Sequence, residues 1–265
     1  WSNSCREVAQ GGRRGALMMT ISCHHPQIRD FIKIKRDLTK VTGANISIRL
    51  TDEFMEAVKN KEHVQLRFPV EKDAQHLVSE MVDANMIWDE IIESAHNFAE
   101  PGLLFWDNII RESPADCYSE FGFKTISTNP CGEIPLSAYD SCRLLVLNLF
   151  GFVKNPFTKK AYFDYKEFYE TVQVAQRLMD NLIDLEIESI EGIISKIKKD
   201  PEKTGIKTRE LELWQNILDA CLKGRRTGTG ITALGDTLAA LDIPYGSGAG
   251  IHTTEKIYKT LKFGA

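Results

Sequence analysis

The chain has 265 residues, 43% of them hydrophobic, and a net charge of −4, which suits one large domain or part of a bigger one. The slightly acidic balance argues against a nucleic-acid surface, and no run approaches the roughly 18 apolar residues that span a bilayer. The start, Trp1-Ser2-Asn3-Ser4-Cys5, has no basic region followed by an apolar stretch, so it does not read as a secretory signal. A chain running from Trp1 to Phe263-Gly264-Ala265 is expected to be cut from something longer. Cysteines stand at 5, 23, 117, 131, 142 and 221 with no C-x-x-C among them. That spread suits neither a zinc ribbon nor a secreted disulfide scaffold. It reads as a reducing cytoplasm, with most cysteines small buried residues and one or two of them reactive.

Taken in chain order, residues 16–21 form a short apolar run that predicts a buried strand. Pro26 opens a helix whose apolar side carries Ile28, Phe31, Ile32 and Ile34. Residues 45–50 alternate, with Ile46, Ile48 and Leu50 on one face, which is a strand pattern. Thr51 caps a helix over 52–58, and its early acids favour the positive end. A further strand is expected over 64–68. Residues 74–98 read as mostly helical, because Met81, Ile87, Trp88, Ile91, Ile92 and Ala95 approximate a 3.6 period. Glu100-Pro101-Gly102 ends that helix, a buried apolar piece covers 103–106, and the segment up to Asn129 reads as loop or short strand. Residues 141–150 read as helix. A long helix follows over 165–185, with Phe168, Val172, Ala175, Leu178, Met179 and Leu182 inward. The basic stretch 196–207, which contains Pro201 and Gly205, is expected to be an exposed connection. Residues 208–222 form another helix with Leu211, Trp214, Ile217, Leu218 and Cys221 inward, and helices over 232–241 and 253–261 close the chain. The first third alternates strand and helix and the last half is helical, an α/β pattern with added helices. With no internal repeat, one domain over 1–265 is expected.

The segment Asn129-Pro130-Cys131-Gly132-Glu133 places an amide and an acid two residues either side of a thiol, and Cys142 follows eleven positions on. If the stretch is extended, side chains two apart point the same way and the three face one space. Such a trio can hydrogen-bond a hydroxylated substrate, move a proton and perform sulfur chemistry at one point. The plainer alternative is a tight turn whose small buried Cys131 fills a gap.

Other stretches also have two readings. Gly11-Gly12-Arg13-Arg14-Gly15 is either a flexible basic loop or one whose glycines allow close backbone approach while its arginines meet phosphate or base edges. Gly224-Arg225-Arg226-Thr227-Gly228-Thr229-Gly230 outlines a phosphate-cradling loop but lacks the G-x-x-x-x-G-K-[ST] pattern, so no ligand is named there. Cys23-His24-His25 invites a metal reading, but neighbours on a strand point to opposite faces and no further ligand cluster accompanies them. Asp180, Asp184, Glu186 and Glu188 are read as a solvated face, since no Glu-x-x-His pattern supports a di-iron site. No metal site is expected.

Asn129, Cys131 and Glu133 resemble the finger-loop triad of the ribonucleotide reductase large, catalytic subunit. The spacing to Cys142 is similar to that of its adenosylcobalamin-dependent (class II) branch. Three further stretches agree, in the family's order: Gln10-Gly11-Gly12-Arg13-Arg14-Gly15-Ala16, Asp37-Leu38-Thr39-Lys40-Val41-Thr42-Gly43-Ala44-Asn45, and 224–230. The resemblance implies part of a ten-stranded α/β barrel with the Cys131 loop threaded into its centre and additional helices. The chain would be its central and C-terminal part, incomplete at both ends. By the same resemblance Cys131 carries a thiyl radical, Glu133 accepts the proton of the ribose 3′-hydroxyl, and Asn129 holds the sugar hydroxyls. Cys142 matches one member of a redox-active pair whose partner lies upstream of the chain; neither Cys5 nor Cys23 is assigned to it. Gly11, Gly12, Arg13, Arg14 and Gly15 match the specificity loop between effector and substrate base. The implied ligands and partners are a ribonucleotide substrate, adenosylcobalamin, a deoxynucleoside triphosphate effector and an external dithiol reductant such as thioredoxin. The full-length protein would be a homodimer, with no direct nucleic-acid or membrane partner. Two rivals stay open: a class I large subunit whose radical comes from a separate metal-bearing subunit, and a non-catalytic nucleotide-binding regulatory module.

Overall fold

The apolar runs at 18–22, 45–50 and 102–105 become one parallel sheet in the computed structural model, which describes residues 2–7 and 15–265. Residues 8–14, and with them Gly11, Gly12, Arg13 and Arg14 of the effector-loop reading, lie outside the described residues. The chain gathers into two compact units, Trp1–Ala138 and Tyr139–Ala265.

The first unit runs α1 (Ser2–Glu7), β1 (Met18–Ser22), α2 (Ile28–Lys33), β2 (Asn45–Leu50), α3 (Asp52–Asn60), β3 (His63–Phe68), β4 (Val78–Asp83), α4 (Ala84–Phe98), β5 (Gly102–Phe105), α5 (Trp106–Glu112), β6 (Ser127–Thr128) and β7 (Pro135–Leu136). The sheet order is β1-β2-β5, all parallel. β2 is the centre, and its alternation gives the sheet two unlike faces. Ile48 and Leu50 turn toward a core built from Ile28, Ile32, Phe54, Ile87 and Ile91 of α2, α3 and α4. Asn45, Ser47 and Arg49 turn the other way. In register with them, and so on the same face, stand Thr20 and Ser22 of β1 and Gly102 and Leu104 of β5. Gly102 is needed here, because a Cβ at that position would lie 2.7 Å from Ser47 Oγ.

Thr51 caps α3 as expected, accepting from Phe54 N at 3.1 Å. The single helix expected over 74–98 is instead a strand and a helix. β4 pairs antiparallel with β3, and Met81 is exposed. The break falls at Asp83, whose side chain accepts from Asn85 N at 2.8 Å and starts α4.

The second unit runs β8 (Leu144–Asn148), β9 (Val153–Lys154), β10 (Tyr162–Phe163), α6 (Tyr165–Lys199), α7 (Thr204–Gly224), β11 (Gly228–Thr232), α8 (Leu234–Ala240) and α9 (Gly248–Gly264). The helix expected over 141–150 is the strand β8, parallel to β11. Its run Leu144-Leu145-Val146-Leu147 carries no period of its own, and pairing decides. α6 continues fourteen residues past Leu185 (199 − 185) because its buried stripe continues through Ile190, Ile194 and Ile197. There it packs on Leu211, Trp214, Ile217, Leu218 and Cys221 of α7. The exposed connection therefore shrinks to residues 200–203, and the lysines at 196, 198 and 199 end α6, where positive charge is favoured. Leu178 and Leu182, expected inward, are exposed. Phe168, Val172, Ala175 and Met179 are buried as expected.

The α/β class holds. Among the described residues the strands close no barrel, and no helix is long and apolar enough to cross a membrane.

Candidate active site

Asn129-Pro130-Cys131-Gly132-Glu133 joins β6 to β7 as a tight reversal. Gly132 N donates to Asn129 O at 2.9 Å, and Asn129 N donates to Ile134 O at 3.1 Å. The Asn129 side chain locks the turn from within, its Oδ1 accepting from Ile134 N at 3.0 Å. Gly132 sits at φ +84°, a conformation that L side chains rarely adopt. The loop is thus a turn and not an extended strand, so two-residue alternation does not bring the three side chains to one face. Cys131 and Glu133 are exposed and Asn129 is half-buried. The gap-filling alternative for Cys131 does not hold either, since an exposed thiol fills no core.

This turn lies on the polar face of the sheet. Asn45 Nδ2 donates to Pro130 O at 2.7 Å, and a Cβ on Gly132 would lie 3.6 Å from Leu104 Cδ2. Beside it opens a cleft of about 440 Å³, lined by residues 15–17, 42–45 and Pro130. Three stretches far apart in sequence therefore meet: Gly15 at the end of the glycine- and arginine-rich segment, Thr42 to Asn45, and the thiol turn. A cleft of this size suits a small-molecule ligand.

Cys142 belongs to the second unit, half-buried just before β8. It stands beside Arg143, whose guanidinium is almost wholly enclosed, its side chain 6% exposed. Arg143 Nε pairs with Glu186, Nη1 donates to Arg226 O at 3.1 Å, and Nη2 to Cys221 Sγ at 3.2 Å. Burial alone would pull the Arg143 pKa down, but Glu186 outweighs it and the net shift is upward. Burial pushes the Cys221 thiol up. Arg226 reaches Asp140 at 2.7 Å, and Arg225 reaches Asp180 at 2.7 Å and Asp184 at 2.9 Å. Thr227 and Thr229 meet the Gln176 amide at 3.0 and 2.8 Å. The segment 224–230 is therefore a clasp that fastens β11 to α6, not a phosphate cradle. Asp180, Asp184 and Glu186, read as a solvated face, are the partners of its arginines and of Arg143. Gly228 allows the close fit, since a Cβ there would lie 2.9 Å from Arg143 O.

The Cys23-His24-His25 run is occupied by hydrogen bonding. His24 is buried, with Nδ1 3.0 Å from Gln65 O and Nε2 2.8 Å from Thr51 Oγ1. A carbonyl only accepts, so the proton is on Nδ1 and Thr51 donates to Nε2. Burial pushes the Cys23 thiol up to about 11, so it stays protonated. Of six cysteines, Cys23 and Cys221 are buried, fewer than expected, and no disulfide joins any of the six. Among the described residues no group of three or more His, Cys, Asp or Glu gathers as a metal site.

Burial also lowers the His24 pKa from 6.5, helped by Arg67, while the Gln65 carbonyl, Glu53 and Asp107 oppose it. Between the lowered folded pKa and about 6.5 the unfolded chain binds the extra proton, so stability rises with pH there. Above about 6.5 both states are neutral and His24 contributes no slope. Urea midpoints should therefore fall from pH 7 toward pH 5, with a shallower fall for His24→Gln. Parallel pH profiles for the two proteins would refute this.

The chain belongs to the ribonucleotide reductase barrel-domain family, whose model matches residues 1–265. It is 35% identical over 252 residues to a vitamin B12-dependent ribonucleoside-diphosphate reductase of Thermoplasma acidophilum, covering 94% of this chain and 28% of that protein. A protein of the same description from Mycobacterium tuberculosis is 29% identical over 96% of this chain and 32% of its own length. The ribonucleoside-diphosphate reductase large subunit of Variola virus is 23% identical over 100% of this chain and 34% of its own length. The chain thus spans about a third of the length of these curated relatives.

Sequence reading missed Arg49, Arg143 and the tether from Asn45 to Pro130. For Arg49 a signal was present: a lone cation at an alternate position of the strand Asn45–Leu50, between the buried Ile48 and Leu50.

Proposed function

We propose that this chain is the central and C-terminal part of the catalytic barrel of an adenosylcobalamin-dependent ribonucleotide reductase, and that it makes deoxyribonucleotides for DNA synthesis. The observation that carries the reading is the meeting of the thiol turn, Thr42 to Asn45 and Gly15 at one cleft on a sheet of a reductase-family chain. In the whole protein both units belong to one ten-stranded barrel domain, and its remaining strands enclose the exposed turn as a central finger. A radical on Cys131 takes the 3′ hydrogen of the ribose and later returns it. Glu133 accepts the 3′-hydroxyl proton and Asn129 orients the sugar. The 2′-hydroxyl leaves as water. Cys142 and a second cysteine outside this chain give up two electrons and two protons and become a disulfide. A thioredoxin-type dithiol then reduces that disulfide.

Gly11, Gly12, Arg13, Arg14 and Gly15 form the loop through which a deoxynucleoside triphosphate effector selects the substrate base, by ordering one element that both ligands contact. The protein works in the cytoplasm as a homodimer. Dependence on cobalamin is carried over from the relatives' names. No residue of this chain is assigned to the corrinoid.

The likeness to the viral large subunit favours a second reading, in which the radical comes from a separate subunit. The test is ribonucleotide turnover by the full-length polypeptide with a dithiol reductant. Turnover that requires added adenosylcobalamin and no second subunit is expected. Turnover that ignores the corrinoid and requires a metal-bearing partner would replace the first reading with the second.

A further inference from the structure

Arg49 is a half-buried cation that no carboxylate of the described residues touches, with Glu71 acting on it only at longer range. It sits on the polar face of the central strand β2, and among the described residues it forms no ion pair. Its Nε is buried with no hydrogen-bond partner, and its guanidinium carbon lies 4.9 Å from the centre of the Trp106 ring. Stacking on Trp106 orients the guanidinium and satisfies none of its N–H donors. A buried donor left unpaired is costly, and native structures keep few of them.

The donor borders a cavity of about 470 Å³. Its lining adds three further donors to Arg49. Ser22 Oγ accepts from His24 N at 3.2 Å, which leaves its hydroxyl proton for another acceptor. His25 Nδ1 is 3.1 Å from Gln27 N, which can only donate, so the neutral ring carries its proton on Nε2. Thr20, two residue pairs along the register from Ser22 and Arg49, supplies a second hydroxyl on the same sheet face. Phe68, edge-on to His25 at 5.6 Å, forms an apolar wall. The carboxylate in the lining is Glu71, which is exposed. The cavity lies at the carboxyl ends of β1 and β2, where open parallel α/β sheets bind their ligands.

We propose that this cavity, centred on Arg49 with Ser22, Thr20 and His25, is an oxyanion subsite that takes a phosphoryl group. The fork of a guanidinium matches a phosphoryl group through two parallel hydrogen bonds. Choosing phosphoryl over carboxylate rests on the nucleotide reading above. The subsite is distinct from the cleft at Gly15 and Pro130, which lies at the opposite, amino ends of the same strands.

The experiment is calorimetric titration of the full-length polypeptide, without turnover, using pyrophosphate, a ribonucleoside diphosphate, the matching nucleoside and malonate. Pyrophosphate or the diphosphate is expected to bind, and Arg49→Met to weaken it about tenfold or more, with circular dichroism unchanged. If Arg49→Met does not fold, Arg49→Lys replaces it, with a smaller loss expected because the fork is gone. Binding of the nucleotide alone assigns the site to nucleotide phosphates; binding of both assigns it to phosphoryl groups at large. Nucleoside affinity should not respond to either substitution. The proposal is overturned if neither phosphate compound binds, if the substituted proteins bind them equally well, or if malonate alone shows the Arg49 dependence. Since nothing here measures reduction, these outcomes are separable from failure of the reductase reading.

Discussion

Cys131→Ser abolishes ribonucleotide reduction by the full-length polypeptide while leaving its urea midpoint unchanged, to within about 0.5 kcal/mol of stability. The two halves of that expectation have different origins. The loss follows from chemistry: an oxygen-centred group of the same shape offers no weak S–H bond to exchange hydrogen with ribose. The unchanged stability follows from geometry, since serine is close to cysteine in size and the turn is held by Asn129, Gly132 and the Asn45 tether, none of which uses the thiol. Glu133→Gln should lower turnover less, by about 10²–10⁴, the range for a lost general base. Its effect should fall on kcat more than on KM, because the amide retains hydrogen bonding but accepts no proton. Asn129→Ala is a poorer probe, as it also removes the Ile134 bond that closes the turn. Wild-type turnover by Cys131→Ser would remove the thiol from the mechanism.

Arg143→Met should be the most destabilising single change in the second unit, by about 3 kcal/mol, the lower end of the range for breaking a buried ion pair. The lower end applies because Glu186 keeps 29% exposure and regains some hydration. From its place just before β8, Arg143 ties three stretches together through one guanidinium: α6, α7 and the approach to β11 receive its three bonds. Removing it strands the Glu186 carboxylate and leaves the Arg226 carbonyl without that donor. The double variant Arg143→Met/Glu186→Leu should recover most of the loss, since an apolar pair of similar volume has no charge to desolvate. Denaturant midpoints of the four proteins form a double-mutant cycle. A single variant within about 0.5 kcal/mol of wild type would show that the pair is not a structural keystone.

The same residues show why some of this protein was legible as a string and some was not. β2 was readable because Ile46, Ile48 and Leu50 alternate and Thr51 begins the next helix. α7 was readable because its inward side chains keep helical spacing over several turns. β8 was misread because four consecutive apolar residues fit either element, and its partner β11 lies eighty positions on. The β4–α4 junction was missed although Asp83 marks it, because an apolar period was followed across a capping residue. Side-chain pairing was less visible still. Nothing local tells that Arg225 seeks Asp180 or that Arg143 seeks Glu186, since those distances are set by the packing of α6. The chemical triad could be named from its motif, yet its turn geometry came from the positive φ of Gly132 and the internal bond of Asn129.

That internal bond weights the amide toward giving. Oδ1 spends one of its two lone pairs on Ile134 N, while the NH₂ protons are not used in closing the turn. A sugar hydroxyl that receives from Asn129 has its own hydrogen to direct elsewhere, toward a carboxylate such as Glu133. The loop thus sets a giver and a taker two residues either side of the thiol, and a ligand group that is both at once answers the pair.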